Sequence, residues 1–393
     1  MVLFVTTIVT GILNGIDVYT PDNDTLMGHV HAGALGWITL ALTGATLLVF
    51  TDSRAVPPAE ITRARWLATA MSGAVLLFVA AFYAGDGIPG NRLGRPITGA
   101  ILLVVIIWFL AWMIHFQMDV ARTVARLGLL LAFTALVIGA LFGIALGVAL
   151  SGRHVPGLSQ ATANAISQAH PASMMIGFQL LAAFSMIEWL LGDRPIGASF
   201  GGVFQMWMLF IAGIVVDVVF VLRVDDVLLA PANTAMVAGV VMLIVRRRSD
   251  LRPSTWKGAG TGLFARIGMV FLIGYLTLLT IIVIRYVGGA MNIAALSLKD
   301  EGLLASFDHA MFIGVMTNAG FGALALTLHG KASTMVDRVL LWGVTIGTAG
   351  FIVGLVLVEP LLKRIFTPLM GAALLFGVVA YLREMRTTAA NSG

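Results

Sequence analysis

The chain has 393 residues, of which 59% are hydrophobic and 11% are charged, and its formal net charge is +5. Soluble domains carry about 25% charged residues, so this composition excludes a soluble globular protein and favours an integral membrane protein. The positive charge forms no basic patch interleaved with aromatic residues, so we expect no nucleic-acid partner. The absence of cysteine excludes disulfides, thiolate metal sites, iron–sulfur clusters and haem attached through cysteine.

Twelve apolar segments are long enough to cross about 30 Å of hydrocarbon, which takes about 20 residues of helix. They are predicted at residues 2–19, 28–51, 65–85, 96–117, 126–150, 168–191, 201–222, 227–245, 264–287, 305–328, 338–358 and 366–383. The connections between them are short and rich in proline, glycine and aspartate. We therefore predict a single all-α membrane domain over residues 1–393, in contact with membrane lipid.

The distribution of lysine and arginine predicts the orientation of these spans. If both termini are cytoplasmic, sixteen of the 24 basic residues lie in inner loops. The run Arg246-Arg-Arg248, directly after span 8, is the strongest single anchor on that side. We therefore predict a multi-pass protein of the bacterial cytoplasmic (inner) membrane with both termini in the cytoplasm.

Three histidines recur with equal spacing where spans 2, 6 and 10 begin. His31, His170 and His309 are separated by 139 residues in each step. An ionisable side chain inside a bilayer is costly unless it is paired, hydrogen-bonded or metal-bound, so it indicates a functional site. One step equals four spans with their loops, which predicts three pseudo-symmetric four-helix units over approximately residues 1–122, 123–260 and 261–393.

Histidines at one depth on facing helices are suited to hold a haem by its axial positions. His29 lies about 200° around the helix from His31, so it could serve a different site, or it could be solvated at the interface. Glycines near the histidines leave room for a flat macrocycle or for a neighbouring helix. These glycines are Gly33, Gly36, Gly177 and Gly314.

Other polar side chains in or near the spans have open roles. Asp217, inside span 7, could be a metal ligand at a second site, a proton acceptor or the partner of a cation. His329 lies about 30 Å along a helix from His309, so it cannot share that site, and we expect solvation at the helix end. We expect the same of His115, at the end of span 4, and of His154, in a loop.

Twelve spans in three arcs, with histidines on spans 2, 6 and 10, resemble subunit I of the haem–copper oxidase superfamily. The resemblance implies that His31 (or His29) and His309 bind a low-spin b-type haem. It implies that His170, together with His29, belongs to a second site for copper or another haem. It further implies that the basic pair Lys363-Arg364, in the loop between spans 11 and 12, binds the haem propionates.

In local motif the chain is more similar to the NnrS-type haem–copper membrane proteins linked to nitric oxide stress. The run His29-Val-His-Ala-Gly-Ala-Leu-Gly-Trp37 is similar to their span 2 motif, His-x-His-Glu-Met-x-x-Gly-Phe. The run His309-Ala-Met-Phe-Ile-Gly-Val-Met-Thr317 is similar to their late stretch, His-Ala-x-x-x-Gly-x-x-Thr. The chain departs from the first motif at Ala32 and Gly33.

The chain lacks the histidines of an oxygen-reducing centre. The oxidases have His-x-His on span 10, where this chain has Phe307, and adjacent histidines on span 7, where residues 201–222 contain none. The resemblance therefore implies electron transfer, or the handling of a diatomic gas such as nitric oxide, and not a proton-pumping terminal oxidase. Such a protein needs a redox partner protein or quinol to deliver electrons.

A secondary transporter with a histidine-lined polar path is the alternative from another class. Transporters usually have a twofold repeat and purify colourless, whereas the histidine step here is threefold. A structural subunit that has lost its cofactor is a third alternative. The sequence leaves open whether one haem b or two are bound, whether copper binds, whether catalysis occurs and which oligomer forms.

Overall fold

The computed structural model describes residues 1–51, 57–85, 93–119, 123–151, 159–192, 199–256, 260–293 and 295–391. These residues form twelve long helices and no strand. Eleven helices of this described part are long and apolar enough to cross a membrane, and Val2–Gly15 is apolar but shorter, with 14 residues. The chain is therefore an all-helical, multi-span membrane protein.

We number the helices in chain order, and each overlaps one predicted segment. They are α1 Val2–Gly15, α2 Asn23–Thr51, α3 Pro58–Tyr83, α4 Gly94–Asp119, α5 Val124–Leu150, α6 Gln160–Leu190, α7 Phe200–Leu222, α8 Leu229–Arg246, α9 Gly262–Val287, α10 Leu298–His329, α11 Met335–Val356 and α12 Pro360–Asn391. Helix α1 is shorter than the predicted segment 2–19, because the chain turns at Asp17, which has a positive φ of 59°.

Helices α6 and α10 begin well before the apolar segments that predicted them. Ser159 caps α6 by accepting a hydrogen bond from the Thr162 amide at 3.1 Å, and Ser297 caps α10 through the Asp300 amide at 3.2 Å. The first turns of both helices are polar, so hydropathy does not detect them, although the serine caps are visible in the sequence. His170 and His309 consequently lie about three turns inside their helices and not at the start.

Helices α2, α6 and α10 share a π-helical segment that follows closely after the histidine. The three segments are Ala34–Thr39, Ser173–Gln179 and Ala310–Thr317. Pro171 favours this departure in α6, because proline removes a backbone donor. In α10 the Thr317 hydroxyl donates to the carbonyl of Phe312, five residues earlier, at 2.7 Å. Such segments are frequent at functional sites.

A glycine in each π-helical segment packs against the preceding helix. A Cβ atom on Gly36 would lie 2.7 Å from Leu3, one on Gly177 would lie 3.2 Å from Ala135, and one on Gly314 would lie 2.4 Å from the Phe271 ring. These neighbours belong to α1, α5 and α9, the first helices of the three predicted units. The glycines therefore make room for a neighbouring helix, and the division of the chain into three units stays a prediction.

The contacts group the chain into two compact units. The His309 unit comprises Met1–Asp22, Ala32–Ile38 and Ile244–Gly393, and the His170 unit comprises Asn23–His31 and Thr39–Leu243. In the core of the His309 unit, Trp37 stacks on Phe4 at 4.1 Å and donates a hydrogen bond to Thr317 at 3.1 Å. In the core of the His170 unit, the Phe133 ring contacts the rings of Phe109 and Phe178.

A buried arginine fixes α2 to α5 in the His170 unit. Arg126 is 3% exposed and donates from Nε and Nη2 to the Val49 carbonyl at 3.0 and 2.7 Å. Its guanidinium also lies 5.7 Å from the centre of the Phe50 ring. Carbonyls in the last turn of a helix have no intrahelical partner, so Arg126 supplies one for α2.

Candidate functional site

Two of the three predicted histidines lie together in the His170 unit. The ring centroids of His31, on α2, and His170, on α6, are 6.5 Å apart, and the ring planes are 14° from parallel. Both side chains are half-buried. Two opposed imidazoles that share one metal, each with a metal–nitrogen bond of about 2 Å, have ring centres about 6 Å apart. The observed separation therefore suits a shared metal.

All three repeat histidines use Nδ1 to contact a backbone carbonyl. The contacts are His31 with Met27 at 2.8 Å, His170 with Gly139 at 2.9 Å and His309 with Ala305 at 2.7 Å. A carbonyl oxygen only accepts hydrogen bonds, so Nδ1 is the donor and the lone pair of the neutral ring lies on Nε2. The same kind of outer contact fixes the tautomer and orientation of metal-binding histidines.

Two glycines of α5 allow His170 to approach that helix. Gly139 supplies the carbonyl, and a Cβ atom on Gly143 would lie 2.8 Å from Cε1 of the His170 ring. Sequence reasoning missed both, although the spacing Gly139-x-x-x-Gly143-x-x-x-Gly147 is the small-residue pattern of close helix contacts in membranes. The pattern indicates such a contact, but not that a histidine occupies it.

Aromatic side chains of α3 pack against the His31 ring. Phe82 stacks on His31 with centroids 4.1 Å apart, and Phe78 meets the same ring edge-on at 5.5 Å. The guanidinium of Arg95 lies 4.9 Å from the Phe82 centroid and pairs with Asp24 at 2.5 Å. Arg95 and the two phenylalanines were not identified from the sequence. A phenylalanine in an apolar helix carries no signal that distinguishes it from other apolar residues.

Asp217 lies beside the π-helical segment of α6. A Cβ atom on Gly213 would lie 3.1 Å from Cα of Gly177, so α7 and α6 are in close contact there. The Asp217 carboxyl, four residues further along α7, is next to Ser173, three residues after His170. Apart from their contact with each other, neither Asp217 Oδ1 nor the Ser173 hydroxyl has a hydrogen-bond partner among the described residues. Because unpaired buried oxygens are costly, this place suits a water molecule or a ligand.

Arg223, the first cation after Asp217 in the sequence, contacts a backbone carbonyl of α6. Helix α7 ends at Leu222, and Arg223 has left-handed backbone geometry, with a φ of 53°. Its guanidinium donates to the carbonyl of Ala161, near the start of α6. Arg223 therefore anchors the beginning of the helix that carries His170.

His309 contacts Phe351 within its own unit, with the two ring centroids 4.8 Å apart. The pairing of His309 with His31 stays a prediction. His29 is half-buried, two residues before His31 on α2, and its role as the alternative ligand also stays a prediction. His154 falls outside the described residues, and His115 is exposed at the end of α4.

The basic pair Lys363-Arg364 lies in a helix and not in the predicted loop, because α12 begins at Pro360. Lys363 Nζ and Arg364 Nε contact the two carboxylate oxygens of Asp17 at 2.5 and 2.8 Å. Hydrogen bonds from this pair hold the pKa of Asp17 below its usual range. The pair is therefore engaged by a carboxylate, and its role toward haem propionates stays a prediction.

The expected solvation of His329 is wrong. Its side chain is 8% exposed, and both ring nitrogens contact carboxylates: Nδ1 lies 3.2 Å from Asp337 Oδ2 and Nε2 lies 2.5 Å from Glu384 Oε1. The partners belong to α11 and α12, so this histidine joins three helix ends. The spacing of charged residues in the sequence does not reveal contacts between different helices.

Within the described part of the chain, no group of three or more histidine, aspartate and glutamate side chains is arranged to hold a metal ion. The second site that combines His29, His170 and Asp217 therefore stays a prediction. Comparisons of the sequence with models of known protein families and with characterised proteins find no match. The resemblance to haem–copper proteins consequently stays a prediction from the sequence motifs and the histidine spacing.

Proposed function

We propose that the chain is a b-type haem-binding membrane protein that transfers electrons or handles a diatomic gas such as nitric oxide. The observation that carries the proposal is the pair His31 and His170. The two rings are near-parallel at 6.5 Å, and each has its Nδ1 on a carbonyl. Two neutral imidazoles, each with its lone pair on Nε2, would hold the iron of a haem.

The surrounding residues fit a bound haem as well. Bound haem would supply an iron that exchanges one electron or coordinates a diatomic ligand. Phe82 covers one face of His31 and keeps the ring in place, while the Gly139 carbonyl fixes the direction of His170. Ser173, one turn after His170, and the neighbouring Asp217 of α7 offer a polar position beside the site.

The proposed protein is not an oxygen-reducing oxidase. Phe307, where the oxidases have a haem ligand, stacks on Tyr275 with centroids 4.5 Å apart, and a phenyl ring cannot bind iron. Electrons would come from a redox partner protein or from quinol in the membrane. We further propose a bacterial cytoplasmic membrane location with both termini inside, on the strength of the basic-residue distribution.

Visible spectra of the full chain, purified in detergent and recorded oxidised and dithionite-reduced, test this proposal. We expect a Soret band and sharp reduced α and β bands, both lost in His31→Ala and in His170→Ala. The His309→Ala variant and the control His115→Ala, at an exposed position, should keep the bands. Metal analysis of the same samples measures iron and copper.

Two other outcomes of these spectra would change the proposed ligand pair or the proposed function. Loss of the bands in His31→Ala and His309→Ala, but not in His170→Ala, would replace the proposed pair with the one that the oxidase resemblance implies. A colourless wild-type protein, even after haem supplementation during expression, would contradict haem binding. The transporter alternative would then become the leading hypothesis.

A further inference from the structure

A hydrogen-bonded cluster joins the ends of α10, α11 and α12. His329 is in the last turn of α10 and Asp337 is in the first turn of α11, while Tyr381 and Glu384 are on α12. The Tyr381 hydroxyl donates to Asp337 Oδ1 at 2.5 Å, and the His329 ring lies between Asp337 Oδ2 and Glu384 Oε1 at 3.2 and 2.5 Å. We call these four side chains the His329 cluster.

The His329 cluster runs from the interior to the surface of the His309 unit. Tyr381 is 0% exposed and Asp337 is 1% exposed, whereas the Glu384 side chain is 37% exposed. Each link between them is a contact of hydrogen-bonding length. The cluster therefore connects a buried phenol to an accessible carboxylate through one imidazole.

The contacts around His329 require one proton more than a neutral imidazole carries. Asp337 accepts from the Thr334 amide at 2.6 Å as well as from Tyr381, so it acts as an acceptor. Both nitrogens of His329 face carboxylate oxygens, and each of these contacts needs a proton. A neutral ring supplies one, so both contacts form together only when a second proton lies between His329 and Glu384.

Lys331 and Arg383, which flank His329 and Glu384 in the sequence, are exposed. Arg338, next to Asp337 on α11, donates to the Ser333 hydroxyl at 3.4 Å. From the α9 side, Thr261 donates to the Gly330 carbonyl at 3.2 Å, and Arg266 donates to the Asp250 carbonyl at 2.7 Å. The carboxylates of Asp337 and Glu384 lie against the ring nitrogens of His329, and the Tyr381 ring centroid lies 6.3 Å from that of His329.

We propose that the His329 cluster is a proton-exchange site that takes up one proton through Glu384 and keeps the link between His329 of α10 and Glu384 of α12 only while that proton is bound. When the proton leaves, a nitrogen lone pair faces Glu384 Oε1 at the short separation of 2.5 Å. The contact then opens, because two acceptors repel each other. Helix α10 also carries His309, so proton release loosens the far end of that helix. This inference does not depend on haem binding.

The thermal unfolding of the full chain in detergent, measured between about pH 5 and about pH 9, tests the proposal. We expect the wild-type Tm to fall by about 3 °C or more as the proton leaves. His329→Gln should have a lower Tm at acid pH and should lack the step. The matched control His115→Gln should behave like wild type, because His115 is exposed.

A second measurement covers the case in which His329→Gln does not fold. Amide hydrogen exchange of the wild-type chain, followed by mass spectrometry, compares peptides over residues 326–339 and 380–388 with a peptide from α5. After correction for the intrinsic pH dependence, we expect only the first two to lose protection as the pH rises. A wild-type Tm without a pH step, a step that persists in His329→Gln, or an equal loss of protection in α5 would each overturn the proposal.

Discussion

His170 and His329 are both histidines of long apolar helices, yet a carbonyl contacts one ring nitrogen of His170, whereas carboxylates contact both ring nitrogens of His329. His170 donates from Nδ1 to the Gly139 carbonyl, which keeps the lone pair on Nε2. Both nitrogens of His329 lie against carboxylate oxygens, so neither is available to a metal ion. Metal binding needs a lone pair, and proton exchange needs a chain of donors and acceptors. The partners of a histidine, and not its presence in a span, therefore indicate its role.

The substitution Gly143→Ala should have the largest effect, and it acts on the His170 ring. Its Cβ atom would lie 2.8 Å from the His170 ring, so the ring must leave its position between Gly139 and His31. We expect at least a tenfold loss of haem affinity, equivalent to about 1.4 kcal/mol, measured as pyridine haemochrome per protein. Gly44→Ala is the matched control, because no heavy atom lies within 4 Å of that Cβ position. Full haem content in Gly143→Ala would remove His170 from the proposed ligand pair.

Tyr381→Phe should have an intermediate effect, confined to the other region. It removes the hydroxyl that donates to buried Asp337, a net loss of about 1 kcal/mol for a hydrogen bond of this kind. We expect Tm to fall by about 1 °C, with the visible spectrum unchanged. A loss of haem in Tyr381→Phe would show that the two regions are not independent.

Asp17→Asn should have the smallest effect, because the ion pair with Lys363 and Arg364 is exposed. The pKa of Asp17 is lowered in the folded chain, so its stabilisation is present above the ordinary carboxyl pKa and is lost as the pH falls through the folded value. We expect a Tm slightly below wild type at neutral pH, with a difference that begins to shrink as the pH falls below about 4. A difference that grows on acidification would contradict this sign.

Much of the helical framework could be predicted from composition, because spans of hydrocarbon length need long apolar segments. The starts of α6 and α10 could not be predicted from hydropathy, since their first turns are polar. The serine caps at Ser159 and Ser297 were the available signal. The π-helical segments depend on the packing of neighbouring helices, and apart from Pro171 no single residue in the sequence marks them.

The histidine spacing predicted three candidate ligands but not which of them lie next to each other. Equal steps relate His31, His170 and His309 to one another in the same way, so spacing alone cannot select a pair. The contact of His31 with His170 depends on Gly139 and Gly143 of α5 and on Phe82 of α3. Contacts of this kind join residues that are distant in sequence, and no local pattern records them.

The π-helical segments after the three histidines also change the rotational phase of their helices. Such a segment accommodates an extra residue, and one residue corresponds to about 100° of rotation in an α-helix. The part of α6 after Gln179 therefore presents a different set of side chains to its neighbours than an uninterrupted helix would. A one-residue deletion within Ser173–Gln179 would turn that whole part by the same angle while leaving the His170 turn in place. The two ends of such a helix can thus be matched to different neighbours by changes in length alone.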